Sequence, residues 1–171
     1  LLFIPEVMLH VSLPVRWDSD HVTIMNDDTL ELCKEIDPSF ITVKDNVVDF
    51  VAKETKGHGV DAVITACPVP AAQQTALEVA ANYGRVCFFG GLPEGKNLVP
   101  LNTNLIHYKQ LICTGTTRAS LRQFKESLGF VSAGIINVKK LITAEFPLSE
   151  IDKGFERAIA ADGLKNVINM D

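Results

Sequence analysis

The sequence predicts an α/β fold built on a doubly wound parallel sheet. Short apolar runs typical of strands alternate with amphipathic helical segments along most of the 171 residues. The strand-like runs are largely apolar, as expected where helices cover both faces of a sheet. Because consecutive parallel strands connect through right-handed helical crossovers, this alternation predicts one sheet with helices on both sides.

The first part of the chain predicts three strands, each followed by a helix. Asp27 and Asp28 are well placed at the N-terminus of the second helix. The third helix has Asp45 or Asn46 as its N-cap, and Gly57 ends it. The predicted strands are residues 1–4 (LLFI), 21–25 (HVTIM) and 39–43 (SFITV), and the helices begin near Val7, Asp27 and Val47.

The remaining part continues the same pattern and then changes. Gly84 is predicted to close a helix that begins at Pro70. Near the end, Ser149 is a predicted N-cap, and Phe155 and Ile159 are predicted to face inward from the last helix. The strands are predicted at residues 59–67, 85–91, 111–117, about 140–146 and 165–170, with a further amphipathic helix at 119–133.

Composition excludes several classes of function. The formal net charge is -5 and no cluster of Lys and Arg is visible, so we do not expect a nucleic-acid partner. No apolar run approaches the roughly 20 residues that span a bilayer, and the opening residues do not read as a signal peptide. The cysteines are widely spaced, which predicts free buried thiols in a reducing cytoplasm; they are Cys33, Cys67, Cys87 and Cys113.

Three predicted strand ends form the candidate binding site, because ligands of open α/β sheets bind beyond the carboxyl ends of the strands. The sequences that follow these ends are TACPVP, FFGGLPEG and TGTTR. Gly90 and Gly91 would let a ligand approach the backbone, although an ordinary turn explains them as well. After the second strand, Asn26, Asp27 and Asp28 include a candidate for binding ribose hydroxyls, and helix capping explains these acids equally well.

Catalytic motifs are scarce. The histidines, His10, His21, His58 and His107, are far apart and lack metal-binding spacing. No serine lies in a G-x-S-x-G turn. Lys109 and Arg118 are interpreted as isolated cations. Arg118 follows a strand end and is a candidate contact for a phosphate or ribose, although a solvated surface position explains it better. The residues alone therefore assign no reaction.

The order of five segments carries a resemblance. TLELCKEI, GHGVDAVITA, ALEVAANYGRVCFFGGLPEG, NLIHYKQLICTGTT and LITAEFPLSEIDKGFERA follow one another along the chain. In this order they resemble the C-terminal half of medium-chain, zinc-dependent alcohol dehydrogenases, with most likeness to the sorbitol (polyol) and threonine dehydrogenase branch. The resemblance extends from about His21 to the end.

The resemblance implies a Rossmann-like domain over residues 1–134 that binds NAD or NADP. Residues 135–171 would return toward a GroES-like catalytic domain whose sequence is not in this chain. The implied activity is hydride transfer between an alcohol or polyol and nicotinamide. The family's dimer contact would lie at the edge strand around Asn104–Gly115, giving a homodimer.

The resemblance also assigns the cofactor residues by position. Asp27 and Asp28 favour NAD, because a carboxylate there repels the 2′-phosphate of NADP; an Asn26 contact would not. Ala66 and Cys67 would flank the adenosine or ribose, and Gly90, Gly91 and Leu92 would lie near the middle of the cofactor. Thr116, Thr117 and Arg118 would approach the nicotinamide end.

Two departures from the family pattern stand out. No residue of this chain matches a family zinc ligand, so we assign no metal site and no catalytic residue. The glycine-rich turn that should follow the first strand is replaced by PEVM, and the first glycine of the chain is Gly57. Glu6 would repel a pyrophosphate, Val7 would add a Cβ where the backbone should approach it, and Pro5 removes an N–H donor.

Three hypotheses follow. The chain is the cofactor-binding part of a dehydrogenase, inactive alone; or it is a non-catalytic relative that serves as a dimerisation or interaction module; or its opening residues are misread. The segments RWDSD and IDPSF show Asp where the family usually has glycine, so the departures cluster in the first forty or so residues.

Overall fold

The computed structural model describes residues 2–4, 21–23, 34, 35, 38, 40–160 and 162–170. The chain divides into two compact units, Leu1–Arg118 and Ala119–Asp171. The predicted functional boundary after Gly134 concerns which residues return to a catalytic domain, so this division does not test it and it stays a prediction.

The first unit contains a six-stranded sheet in the order β3-β2-β1-β4-β5-β6, and every neighbouring pair is parallel. This confirms the predicted doubly wound parallel sheet. The strands are Leu2–Ile4 (β1), His21–Thr23 (β2), Ile41–Val43 (β3), Val60–Thr65 (β4), Ala80–Phe88 (β5) and Ile112–Gly115 (β6), and the helices are Val47–Glu54 (α1), Pro70–Val79 (α2) and Thr103–Lys109 (α3). The helices predicted to begin near Val7 and Asp27 lie largely outside the described residues.

The core of this unit forms around β4 and β5. Val63 and Val86, one from each strand, and Leu77 of α2 are completely buried. The predicted inward face of α1 is confirmed: Val51 is buried, and Val47 and Phe50 pack against the same apolar cluster. The apolar alternation of strands and the helical repeat of α1 therefore both point toward one core.

The junction of α2 and β5 differs from the prediction. The helix was expected to reach Gly84, but it ends at Val79. The Nζ of Lys109 donates hydrogen bonds to the backbone oxygens of Leu77 (3.2 Å), Glu78 (2.8 Å) and Ala80 (2.8 Å). Because an ammonium from α3 satisfies these terminal carbonyls, the chain can leave the helix early and enter β5.

Lys109 is therefore not the isolated cation that the sequence indicated. Partial burial lowers the pKa of Lys109 from its ordinary value, and the nearby Glu78 carboxylate acts in the opposite direction and raises it. Lys109 thus works as a cap that joins α3 to the carboxyl end of α2.

The predicted edge strand around Asn104–Gly115 is only partly a strand. Residues Thr103–Lys109 form α3, with the side chain of Asn102 accepting a hydrogen bond from the backbone N–H of Asn104 at 3.2 Å. Gln110 then turns the chain with a φ of +52°. The strand itself is Ile112–Gly115, and it is the last strand on its side of the sheet.

The second unit contains α4 (Leu121–Ser132), β7 (Ile142–Pro147), α5 (Ile151–Ile159) and β8 (Lys165–Asn169), with β7 and β8 paired in parallel. Ser120 caps α4: its hydroxyl accepts from the backbone N–H of Gln123, whose side chain accepts from the backbone N–H of Ser120. This reciprocal pair fixes the start of α4 at Leu121, two residues after the predicted start at residue 119.

Two details of α5 correct the sequence prediction. Ser149 lies in a 3₁₀ turn, and Glu150 occupies the N-cap position instead. Phe155 and Ile159, expected to face inward, are 61% and 85% exposed. The buried face passes through Gly154, where an added Cβ would lie 2.8 Å from Cδ1 of Ile168. The helix lies so close to β8 that its packing face uses a residue without a side chain.

Within the described part of the chain, no helix combines the length and apolar character needed to cross a bilayer.

Candidate functional site

The ends of three neighbouring strands lie side by side. Thr65 of β4 is in register with Phe88 of β5, and Phe88 is in register with Gly115 of β6. The segments that begin at Ala66, Phe89 and Thr116 therefore leave the sheet in a row at its carboxyl edge, where open α/β sheets bind ligands. We call these three segments the carboxyl-edge loops.

Backbone hydrogen bonds hold the carboxyl-edge loops together. The oxygen of Thr65 accepts from the N–H groups of Phe89 (3.1 Å) and Gly90 (2.7 Å). The N–H of Thr116 donates to the oxygen of Phe88 at 3.4 Å. Thr65 is itself completely buried. Sequence reasoning did not single out Thr65, and no local pattern marks a buried threonine whose backbone carries this role.

Gly90 is required by the packing of these loops. An added Cβ at Gly90 would lie 2.7 Å from both the backbone nitrogen and the oxygen of Cys67. Gly91, in contrast, has nothing within 4 Å of its would-be Cβ. The close contact with Cys67 therefore explains why a glycine is needed at position 90. At Gly91 the space beside the carboxyl-edge loops is open.

The predicted residues differ in how much of them a ligand could reach. Cys67 is 1% exposed, so its side chain belongs to the core and a ligand would meet the backbone beside it. Ala66 and Leu92 are half-buried. The exposed members are Gly91, Thr116, Thr117 and Arg118. The structure thus brings the predicted residues from Ala66 to Arg118 to one edge, and their binding role stays a prediction.

The first strand ends at the same edge. Ile4 of β1 is in register with Thr65 of β4, and β1 lies between β2 and β4. The strand order changes direction between β1 and β4, which is where ligands enter doubly wound sheets. Residues Asn26, Asp27, Asp28 and the turn at 5–7 lie outside the described residues, so their predicted effects on a cofactor are not tested.

Reactive and metal-binding groups are sparse at this edge. Among the described residues, Cys67, Cys87 and Cys113 form no disulfide bond. Burial raises the pKa of the Cys113 thiol, so it is protonated and poorly nucleophilic near neutral pH. Among the residues that the structure describes, no group of three or more His, Cys, Asp or Glu side chains is arranged to hold a metal ion. The groups that the described edge presents to the solvent are backbone groups, the hydroxyls of Thr116 and Thr117, and the guanidinium of Arg118.

A cavity of about 490 Å³ lies at the opposite edge, where β4 begins. Its lining includes Gly59, Asp61 and Lys109. The three hydrogen bonds from Lys109 to the end of α2 and the start of β5 occupy its donors, and Asp61 is exposed. Because none of the predicted cofactor residues lines this cavity, we assign the site to the carboxyl edge, on strand topology.

Comparisons with known proteins give similarities to two kinds of enzyme. The family model for zinc-binding dehydrogenases matches residues 21–133. L-threonine 3-dehydrogenase of Bacillus licheniformis is 35% identical over 114 residues, which are 66% of this chain and 32% of that protein. L-rhamnose isomerase of Bacteroides thetaiotaomicron is 75% identical over 36 residues, which are 21% of this chain and 9% of that protein.

A similar solved structure is that of a chain described as a zinc-binding dehydrogenase from Sinorhizobium meliloti 1021, bound to NADP. It superposes with a TM-score of 0.78 at 22% sequence identity, covering 89% of this chain and 45% of that one. At this identity the likeness shows the fold. The chain spans about a third of the threonine dehydrogenase and less than half of the solved relative. The family model, which covers most of the sequence, confirms the resemblance inferred from the ordered segments: the chain belongs to the zinc-binding dehydrogenase family.

Proposed function

We propose that this chain is the cofactor-binding portion of a zinc-binding, NAD(P)-dependent alcohol or polyol dehydrogenase. The observation that carries the proposal is the row of carboxyl-edge loops beside the point where the strand order reverses. In the complete enzyme, hydride would pass between a secondary alcohol and nicotinamide. By itself this chain would be inactive, since none of its residues matches a family zinc ligand.

The carboxyl-edge loops suit an extended dinucleotide. Ala66 and the Cys67 backbone would lie against the adenosine or ribose. Gly91 offers open space near the middle, where Gly90 and Leu92 also lie. Thr116, Thr117 and Arg118 are exposed and would face the nicotinamide end. We propose NAD in preference to NADP on the strength of the acids at Asp27 and Asp28, which would repel a 2′-phosphate.

The opening turn does not suit the same ligand. A dinucleotide pyrophosphate binds to N–H groups at a helix N-terminus that glycines leave open. The sequence PEVM offers a carboxylate and a proline in that place. We therefore propose that the chain alone binds cofactor weakly or not at all. For its localisation we propose the cytoplasm, because the described cysteines form no disulfide bond.

Titration with NADH tests this proposal. Binding is monitored by fluorescence or calorimetry, and we expect no saturable binding of NADH to the isolated chain in the micromolar range. We also expect no zinc-dependent oxidation of sorbitol. L-threonine 3-dehydrogenase of Bacillus licheniformis serves as the positive control for the titration. Micromolar binding of NADH would show that PEVM does not disable the site, and turnover of sorbitol would contradict the proposed inactivity.

A second candidate function is a dimerisation or interaction module, and the edge position of β6 favours it. Ile112 of this strand is 48% exposed, and the edge presents backbone groups that another strand can pair with. A second copy of this chain, pairing β6 with β6, is the partner we propose. This role would need no cofactor.

The oligomeric state tests the edge-strand proposal. We expect the chain to have twice its 18.7 kDa monomer mass by light scattering. Ile112→Lys should give a monomer, because a charge on an edge strand opposes pairing. Leu98→Lys is the matched control, since Leu98 is 91% exposed and lies outside β6. A monomeric parent chain, or an Ile112→Lys variant that remains dimeric, would argue against pairing through β6.

A further inference from the structure

Two similarities of this chain point to enzymes with different reactions. The dehydrogenase relatives match about two thirds of the chain at 35% identity or a little less, whereas an L-rhamnose isomerase matches 36 residues at 75% identity. We infer that the chain is composite. An opening segment of about the first 36 residues shares its origin with sugar isomerases, and the remainder is a zinc-binding dehydrogenase cofactor domain. This inference rests on the proposed function of that remainder.

The position of the isomerase-like stretch follows from where dehydrogenase features occur. Four of the five ordered segments lie between Gly57 and Ala158 and resemble dehydrogenases in sequence and spacing; the fifth, TLELCKEI, ends at Ile36 and lies within the opening. A stretch of 36 residues at the end would have to replace LITAEFPLSEIDKGFERA, which is among them. The opening carries several departures: no glycine among residues 1–36, PEVM in place of the turn, and Asp in the segment RWDSD where the family usually has glycine. The family match begins at residue 21, so it overlaps the proposed opening segment over about residues 21–36.

The structure explains how a foreign segment fits in this sheet. Leu2–Ile4 pairs with Val63–Thr65, and His21–Thr23 pairs with Ile41–Val43. Parallel pairing uses backbone N–H and C=O groups, which every residue other than proline supplies, so it makes little demand on sequence. A pyrophosphate-binding turn makes a strict demand, because a side chain there blocks the ligand. A foreign segment can therefore supply strands without supplying the turn.

The dehydrogenase-like remainder has its own core. The described apolar cluster and the residues packed against it all lie between Val47 and Cys113. The first two carboxyl-edge loops lie in the same range, and the third begins three residues after it, at Thr116. In a composite chain, the half of the cofactor site that lies on β4, β5 and β6 is therefore intact. The defect, PEVM in place of the glycine-rich turn, lies in the opening segment.

Exchange of the opening segment tests this division. Residues 1–36 are replaced by the corresponding opening of the cofactor domain of Bacillus licheniformis L-threonine 3-dehydrogenase, and NADH is titrated into both chains. We expect the exchanged chain to bind at least about tenfold more tightly than the parent. Gly90→Ala in the exchanged chain should remove the gain. A parent that binds as tightly as the exchanged chain, or a folded exchanged chain with no gain, would overturn the inference.

A reciprocal exchange decides the origin without relying on the first experiment. Residues 1–36 of this chain replace the matching 36 residues of Bacteroides thetaiotaomicron L-rhamnose isomerase. We expect isomerisation of L-rhamnose to stay within about tenfold of the parent isomerase. The control transplants residues 38–73 into the same place and should abolish activity. Equal loss in both transplants, including loss of folding, would contradict an isomerase origin. Weak NADH binding by the chain alone would still stand in that case, so the two proposals fail separately.

Discussion

Gly59→Ala is expected to lower the free energy of unfolding by about 3 kcal/mol. Gly59 has a φ of +82°, a conformation that costs an alanine about 1–2 kcal/mol. The new Cβ would also lie 2.6 Å from the backbone oxygen of Val79 and 2.9 Å from the nitrogen of Ala81. These are backbone atoms at the junction of α2 and β5, so the junction itself must move to relieve the overlap.

Gly57→Ala is the matched control for this experiment. Gly57 has the same φ of +82°, but its would-be Cβ has nothing within 4 Å. We expect a loss of about 1 kcal/mol from backbone strain alone. Urea denaturation followed by far-UV circular dichroism measures both variants. Equal losses would show that the contact with the α2–β5 junction contributes nothing, and the predicted difference of about 2 kcal/mol would be wrong.

Gly90→Ala is expected to destabilise the chain by about 2 kcal/mol and to disturb the carboxyl-edge loops. The φ of Gly90 is outside the left-handed region, so the effect comes from contact and not from strain. The Cβ would lie 2.7 Å from two backbone atoms of Cys67, and the hydrogen bond from Gly90 N–H to Thr65 is only 2.7 Å long. Relief requires the loops after β4 and β5 to separate.

The reactivity of Cys67 provides a local measurement of that separation. In the parent chain Cys67 is 1% exposed and should react slowly with a thiol-alkylating reagent. In Gly90→Ala it should react several times faster, as measured by peptide mass spectrometry under native conditions. Gly91→Ala, with open space around its Cβ, should change stability by no more than about 0.5 kcal/mol and leave Cys67 protected. Protection of Cys67 in both variants would count against the loop-separation argument.

The elements that the sequence predicted well are those whose signal lies within a few neighbouring residues. The apolar run of β4 and the inward residues of α1 follow from local periodicity. The amphipathic pattern over residues 119–133 predicted α4, which spans Leu121–Ser132. Such patterns determine which segments are strands or helices, and their order predicts the parallel sheet.

The predictions that were wrong depend on residues far apart in the chain. The helix α2 ends early because Lys109, about thirty residues later, binds its terminal carbonyls. The inward face of α5 runs through Gly154 because the helix approaches Ile168 and Phe146 closely. Local apolar periodicity predicted Phe155 on that face. Periodicity carries no information on how closely the helix approaches β8, so it could not predict the correct residue.

The sequence by itself determined the α/β class, the parallel sheet, the family and the location of candidate residues at three strand ends. Only the tertiary structure decided that these ends lie in one row, that Gly90 is needed where two loops touch, and that Lys109 joins α3 to α2. The physical reason is the distance along the chain over which each interaction acts. Secondary structure follows from neighbouring side chains, whereas close packing and capping depend on atoms that folding brings together from distant parts of the chain.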